Sequence, residues 1–103
     1  MIDLNSLILE GRLTNCENVN EKDNYIARFM VQERRNDEIS FFDCEAYGSL
    51  AKKFPFKSTE RIRIVGRLKQ KNWEVAGEKF SKVIIVCEHL ECLKKRIVPV
   101  EEA

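Results

Sequence analysis

An all-β fold, a small closed barrel of five strands with one short helix between the third and the fourth, is what this 103-residue sequence predicts. Three observations lead there. Apolar and polar residues alternate over five separate stretches, the pattern of half-buried strands. A short motif recurs, ILEGRL at 8–13 and RIVGRL at 63–68, and sets a glycine inside a strand twice. A glycine there forfeits side-chain packing and marks a bulge or sharp bend, the device by which a strand passes from one sheet direction to another. Only one stretch, SLAKKFP, has helical spacing.

Taken in order, Leu4 to Thr14 places Leu7, Leu9, Gly11 and Leu13 on one face and Ile8, Glu10 and Arg12 on the other, which is a strand. NCENVNEKDN, Asn15 to Asn24, is polar and turn-rich and reads as a loop. YIARFMVQE follows as the second strand, with Tyr25, Ala27, Phe29 and Val31 opposite Ile26, Arg28 and Met30. The charged turn RRNDE leads to a third strand, ISFFDCEAY, with Phe42, Cys44 and Ala46 expected inside and Phe41, Asp43, Glu45 and Tyr47 outside. In SLAKKFP, Ser49 stands where an N-cap belongs, Leu50 and Phe54 are four apart, and Pro55 is a stop. RIRIVGRLKQKNW resumes the alternation with Ile62, Ile64, Gly66 and Leu68 inward, EVAGEK turns about Ala76 and Gly77, and FSKVIIVCEHLECL is the β-branched return. Three strands, a helix and two strands make the layout of the OB-fold, a five-stranded, partly open barrel whose outer face and loops hold oligonucleotides. The last two strands form a protruding hairpin, residues 1–93 form the domain, and 94–103 form a short C-terminal extension.

Composition narrows the function. With 44% hydrophobic and 34% charged residues, and no run of the ~20 apolar residues that a bilayer crossing needs, the chain reads as soluble. MIDLNSLILEG has no basic segment and its apolar run is broken at Asn5 and Ser6, against a secretory signal, so a cytoplasmic location is expected. Cys16, Cys44, Cys87 and Cys92 then read as reduced thiols. The C-x-H-x-x-C spacing of Cys87, His89 and Cys92 lacks a second ligand pair, so neither metal nor cofactor is expected. A single histidine, with no phosphate-binding glycine loop and no nucleophile elbow, argues against an enzyme.

Net charge is only +1, but it is unevenly spread: residues 1–60 hold 8 cations against 11 acids, and residues 61–103 hold 10 against 6. Arg61 to Lys82 alone carries seven cations and two acids. Within it, KQKNW sets Lys69, Lys71 and the chain's only tryptophan, Trp73, on one strand face. A hairpin symmetric about Ala76 and Gly77 opposes Trp73 to Phe80 and Lys71 to Lys82, and two like charges face to face gain from an anionic partner. Phe41 and Tyr47 add rings to the outer face of the third strand. Rings beside cations suit single-stranded nucleic acid, whose unpaired bases stack while lysines neutralise phosphates. The competing readings are an oligomer interface over Phe41 and Tyr47, and a plain cross-strand pair for Trp73.

The sequence also resembles a family. NSLILEGRLT, ARF, FFDCEAYGSLAKKF, IRIVGRLKQKNW and GEKFSKVIIV, in order and spacing from about Asn5 to Leu93, look like the bacterial single-stranded DNA-binding proteins. The resemblance implies an OB-fold that usually assembles as a homotetramer, tolerates any DNA sequence, and serves replication, recombination or repair, with replication proteins as further partners. It implies stacking at Phe41, Tyr47 and Trp73 and contacts at Lys69 and Lys71. Lys82, Arg12 and Arg35 complete the expected set. Two departures stand out. Asp43 and Glu45 share the outer face with Phe41 where many members carry basic or neutral residues, and the 103 residues, which end LKKRIVPVEEA, include no Gly/Pro/Gln-rich tail of the kind typical of the family. The alternatives are a tail-less primosomal accessory protein and an OB module for protein interaction.

Overall fold

The computed structural model describes residues 1–21, 24–54 and 60–93. Pro55 and the extension 94–103 lie outside the described residues. Five strands, β1 (Leu7–Glu21), β2 (Asn24–Arg35), β3 (Glu38–Tyr47), β4 (Arg61–Val75) and β5 (Glu78–Leu93), and one helix, α1 (Gly48–Lys52), follow the predicted order. The strands close in the sequence β1-β2-β3-β5-β4, every neighbouring pair antiparallel except β3 with β5. The architecture is the five-stranded barrel with a helix between β3 and β4 that the alternation predicts.

The alternation also selects the core. Leu13, Ala27, Phe29, Val31, Cys44, Ala46, Ile62 and Ile64 are buried inside the barrel, and Ala51 of the helix and Phe54 just after it belong to the same buried cluster. Both predicted glycine positions are forced by close backbone approach. A Cβ on Gly11 would lie 2.3 Å from the carbonyl oxygen of Gln32, and one on Gly66 would lie 2.2 Å from that of Val86. Gly66 sits at a bulge, the register between β4 and β5 shifting at Val65/Gly66. Gly11 does not: the shift in β1 falls between Thr14 and Glu17.

Several expectations are corrected. Residues 15–21 are not a loop but the end of β1, where Glu17–Glu21 pair with Asn24–Arg28 of β2. The β1 half of this pairing, Glu17–Asn20, has no buried residue, so no apolar alternation marks it as a strand. Tyr47, not Ser49, occupies the N-cap of α1 and makes no side-chain cap there. Phe42 is 37% exposed rather than internal. β3 meets β5 only at Cys44 and Glu45, so nothing from β5 pairs at that rung. Leu68, past the bulge, is likewise turned out. Glu45, expected outside, is buried at 5% exposure.

From Lys69 to Val83, β4 and β5 pair only with each other and form the protruding hairpin. Its turn is Ala76-Gly77, with φ of 50° and 84°. Positive φ at both central residues is the requirement of a type I′ hairpin turn. The root of the hairpin is clamped by Asn5, whose Nδ2 donates to the Leu68 carbonyl (2.7 Å) while its Oδ1 accepts from the Leu68 amide (2.9 Å).

Candidate nucleic-acid interface

The outer face of β3 and the hairpin meet as a ladder of three rungs. Alternation puts Phe41, Asp43, Glu45 and Tyr47 on one side of β3, and the hairpin lays its cations against them. Lys82 Nζ donates to Asp43 Oδ2 at 3.2 Å, Lys71 Nζ to Glu45 Oε2 at 2.5 Å, and Lys69 Nζ stands 6.0 Å from the centre of the Tyr47 ring. Lys71 and Lys82 are directly opposed, as the hairpin symmetry predicts. The anionic relief their repulsion calls for is supplied within the chain, by the two acids of β3.

Glu45 is the most constrained member. Besides Lys71 it accepts a hydrogen bond from the Tyr47 hydroxyl, and Arg28 Nε, on the neighbouring residue of β2, lies 3.7 Å away. Burial alone would raise its carboxyl pKa, but the hydrogen bonds from Lys71 and Tyr47 and the charges of Lys71 and Arg28 hold it below the ordinary range. Tyr47 moves the other way, pushed up to about 12 by burial and by the bond to Glu45.

The rings remain accessible. Trp73 faces Phe80 across the hairpin with ring centroids 5.8 Å apart and planes 18° from parallel, the predicted cross-strand pair. Trp73 is still 44% exposed, and the pair walls a hollow of about 420 Å³ with Asn72, Glu74, Lys79 and Ser81. Phe41, 55% exposed, lines a cleft of about 430 Å³ with Ile8, Leu9, Phe42, Leu68 and Val83. An exposed ring keeps a face on which a base can stack.

The structure thus gathers Tyr47, Lys69, Lys71 and Lys82 into one constellation with Trp73 farther along the same hairpin, and sets Arg12 and Arg35 elsewhere. Those two line an open cleft of about 900 Å³ with Arg34, Arg61 and Arg63. It adjoins the Phe41 cleft, since Ile8, Leu9 and Phe42 line both. Arg63 is engaged by Glu10 (2.5 Å) and Glu91 (3.0 Å), and Arg35 by Glu33 (3.7 Å). Among the described residues Lys69, Arg12, Arg34 and Arg61 form no ion pair. Two features escape a reading of the sequence: Asn5 as the clamp, and the β3 acids as partners of the lysines. The acids were signalled by the alternation in FFDCEAY; nothing local signalled Asn5.

Comparison with known proteins bears on the family and the fold. The model of the single-strand binding protein family matches residues 4–93. A single-stranded DNA-binding protein of Aquifex aeolicus is 38% identical over 61 residues, covering 57% of this chain and 42% of that protein. One of Borreliella burgdorferi is 31% identical over 105 aligned positions, covering 88% of this chain and 70% of that protein. The chain therefore spans less than half of the first relative's length. In fold it is similar to a Plasmodium falciparum SSB solved in complex with ssDNA, at TM-score 0.74 and 17% identity, covering 91% of this chain and 98% of that one.

Proposed function

Because this chain belongs to the single-strand binding protein family, we propose that it binds single-stranded DNA without catalysis and with little regard to sequence, in replication, recombination or repair. The observation that carries the reading is the placement of accessible rings beside cations on one hairpin and the strand beneath it. Trp73, Tyr47 and Phe41 stack bases. Lys69 and Lys82 face phosphates, with Lys71 beside them on Glu45, and Arg12 and Arg35 take up the strand where it passes from the Phe41 cleft into the arginine cleft. Duplex DNA hides its base faces and gains nothing from the rings.

The chain assembles with copies of itself, a tetramer in preference to a dimer. Ile8, Phe42, Leu68 and Val83 are exposed together around one cleft, apolar surface of the kind that partners cover. Replication proteins are further partners, and the site of action is the cytoplasmic nucleoid. No described helix is long and apolar enough to cross a membrane.

Native mass measurement with and without oligo(dT) tests the reading. The expected result is a multiple of the 12.1 kDa chain that gains the mass of bound oligonucleotide. A protein-interaction module would gain none, and a monomer at micromolar concentration would refute the assembly.

A further inference from the structure

The two carboxylates of β3 hold their lysines unequally. Asp43 and Lys82 are both about half exposed, so water can solvate either one when the 3.2 Å contact opens, and a phosphate can take Lys82 by simple exchange. Glu45 has no such recourse. Its side chain is 7% exposed, its Oε2 is 2.5 Å from Lys71 Nζ, and its Oε1 accepts the Tyr47 hydroxyl. The cation left to it if Lys71 departed, Arg28, is at 3.7 Å. Drawing Lys71 onto a phosphate would strand a buried carboxylate and set it facing a new anion. Removing one partner of a covered ion pair is far more costly than parting an exposed one.

We propose that Glu45 is a positioning residue of the single-strand site: it retains Lys71 as an internal partner, orients the Tyr47 ring through its hydroxyl, and fastens the hairpin to β3. Lys71, although it lies in the basic stripe, is not a phosphate contact. Lys69 and Lys82 are the hairpin cations that DNA engages. Lys69 is the rung that meets a ring rather than an acid, and so is the cation already free to change partner. The inference deepens the single-strand reading and rests on it.

The salt dependence of oligo(dT) binding separates the roles. Each phosphate neutralised on a single strand adds about 0.7 to the slope of log affinity against log salt, whereas a positioning contact adds nothing to the slope. Lys69→Gln is expected to flatten the slope by about 0.7 for each subunit engaged. Lys71→Gln is expected to lower affinity by the same factor at every salt concentration and to keep the wild-type slope. Glu45→Gln preserves shape and a hydrogen-bond acceptor for Tyr47 but releases Lys71, so its slope is expected to steepen by about 0.7. A Lys71→Gln slope as flat as that of Lys69→Gln, or a Glu45→Gln slope equal to wild type, would overturn the proposal. Should Glu45→Gln fail to fold, the Lys71→Gln and Lys69→Gln pair decides alone. Failure of the wild-type protein to bind oligo(dT) is a different result: it removes the single-strand reading itself, and the proposal with it.

Discussion

Replacing Gly66 with alanine perturbs the point where β4 leaves the barrel and becomes the hairpin, and the structure sets the size of the effect. The added Cβ would lie 2.2 Å from the Val86 carbonyl oxygen and 3.3 Å from Cγ2 of Ile85. Reaching even the 3.0 Å that real Cβ atoms respect requires β4 and β5 to part by about 0.8 Å, and the obstacle is backbone rather than a movable side-chain tip. Overpacking of this kind costs about 1–3 kcal/mol, and each ladder hydrogen bond stretched beyond use adds about 1 kcal/mol. A loss of about 3 kcal/mol is therefore expected, which for a domain of this size lowers the urea midpoint by about 2 M or Tm by about 12–24 °C. Urea unfolding followed by far-UV circular dichroism measures it. Because Lys69, Lys71 and Trp73 lie just beyond the bulge, oligo(dT) affinity should fall as well, even where the variant is fully folded. A change in stability below 0.5 kcal/mol, about the effect of an ordinary surface substitution, would refute the argument that the glycine is imposed by strand closure.

Two further outcomes follow from single residues. Ala76 adopts φ of 50° in a type I′ turn, a left-handed conformation that costs an alanine about 1–2 kcal/mol and an asparagine less, so Ala76→Asn should raise Tm by several degrees in a calorimetric scan; an unchanged or lower Tm contradicts the turn assignment. Tyr47 releases its proton near 12 when folded and near its ordinary 10.0 when unfolded, so the stability tied to its protonated ring is complete below pH 10 and is lost as pH rises through 12. Urea midpoints taken across that window should fall more steeply for wild type than for Tyr47→Phe, and parallel curves would exclude the buried hydroxyl–carboxylate contact.

Strand order, the helix and most of the core were legible in the sequence because burial in a small barrel imposes a period of two, and Leu13, Phe29, Val31, Ile62 and Ile64 obey it. Alternation loses its meaning where the wall of the barrel ends. Phe42 and Leu68 keep the inward phase yet face solvent, since each is paired on one side only, Phe42 with β2 and Leu68 with β5. The end of β1, Glu17–Asn20, escaped notice for the same reason from the other side, having no buried side chain to set a pattern. At the site, the face shared by Lys69, Lys71 and Trp73 and the Trp73–Phe80 pairing could be derived from a hairpin centred on Ala76-Gly77. What the linear sequence could not give was how the hairpin leans. Contact between Lys71 and Glu45 joins residues 26 positions apart on strands that are not neighbours in the sheet, and with Tyr47 and Arg28 it surrounds an acid that alternation alone would leave exposed.

Trp73 is the chain's only tryptophan, and so its emission reports on the proposed interface without labelling. Oligo(dT) is expected to quench this emission to saturation and duplex DNA of equal length far less, and Trp73→Ala to weaken binding by about 1–3 kcal/mol while leaving the salt slope nearly intact, as the loss of a stacked base requires. Emission that stays constant while oligo(dT) binds would place Trp73 outside the interface and contradict the reading of the hairpin as the surface that holds the strand.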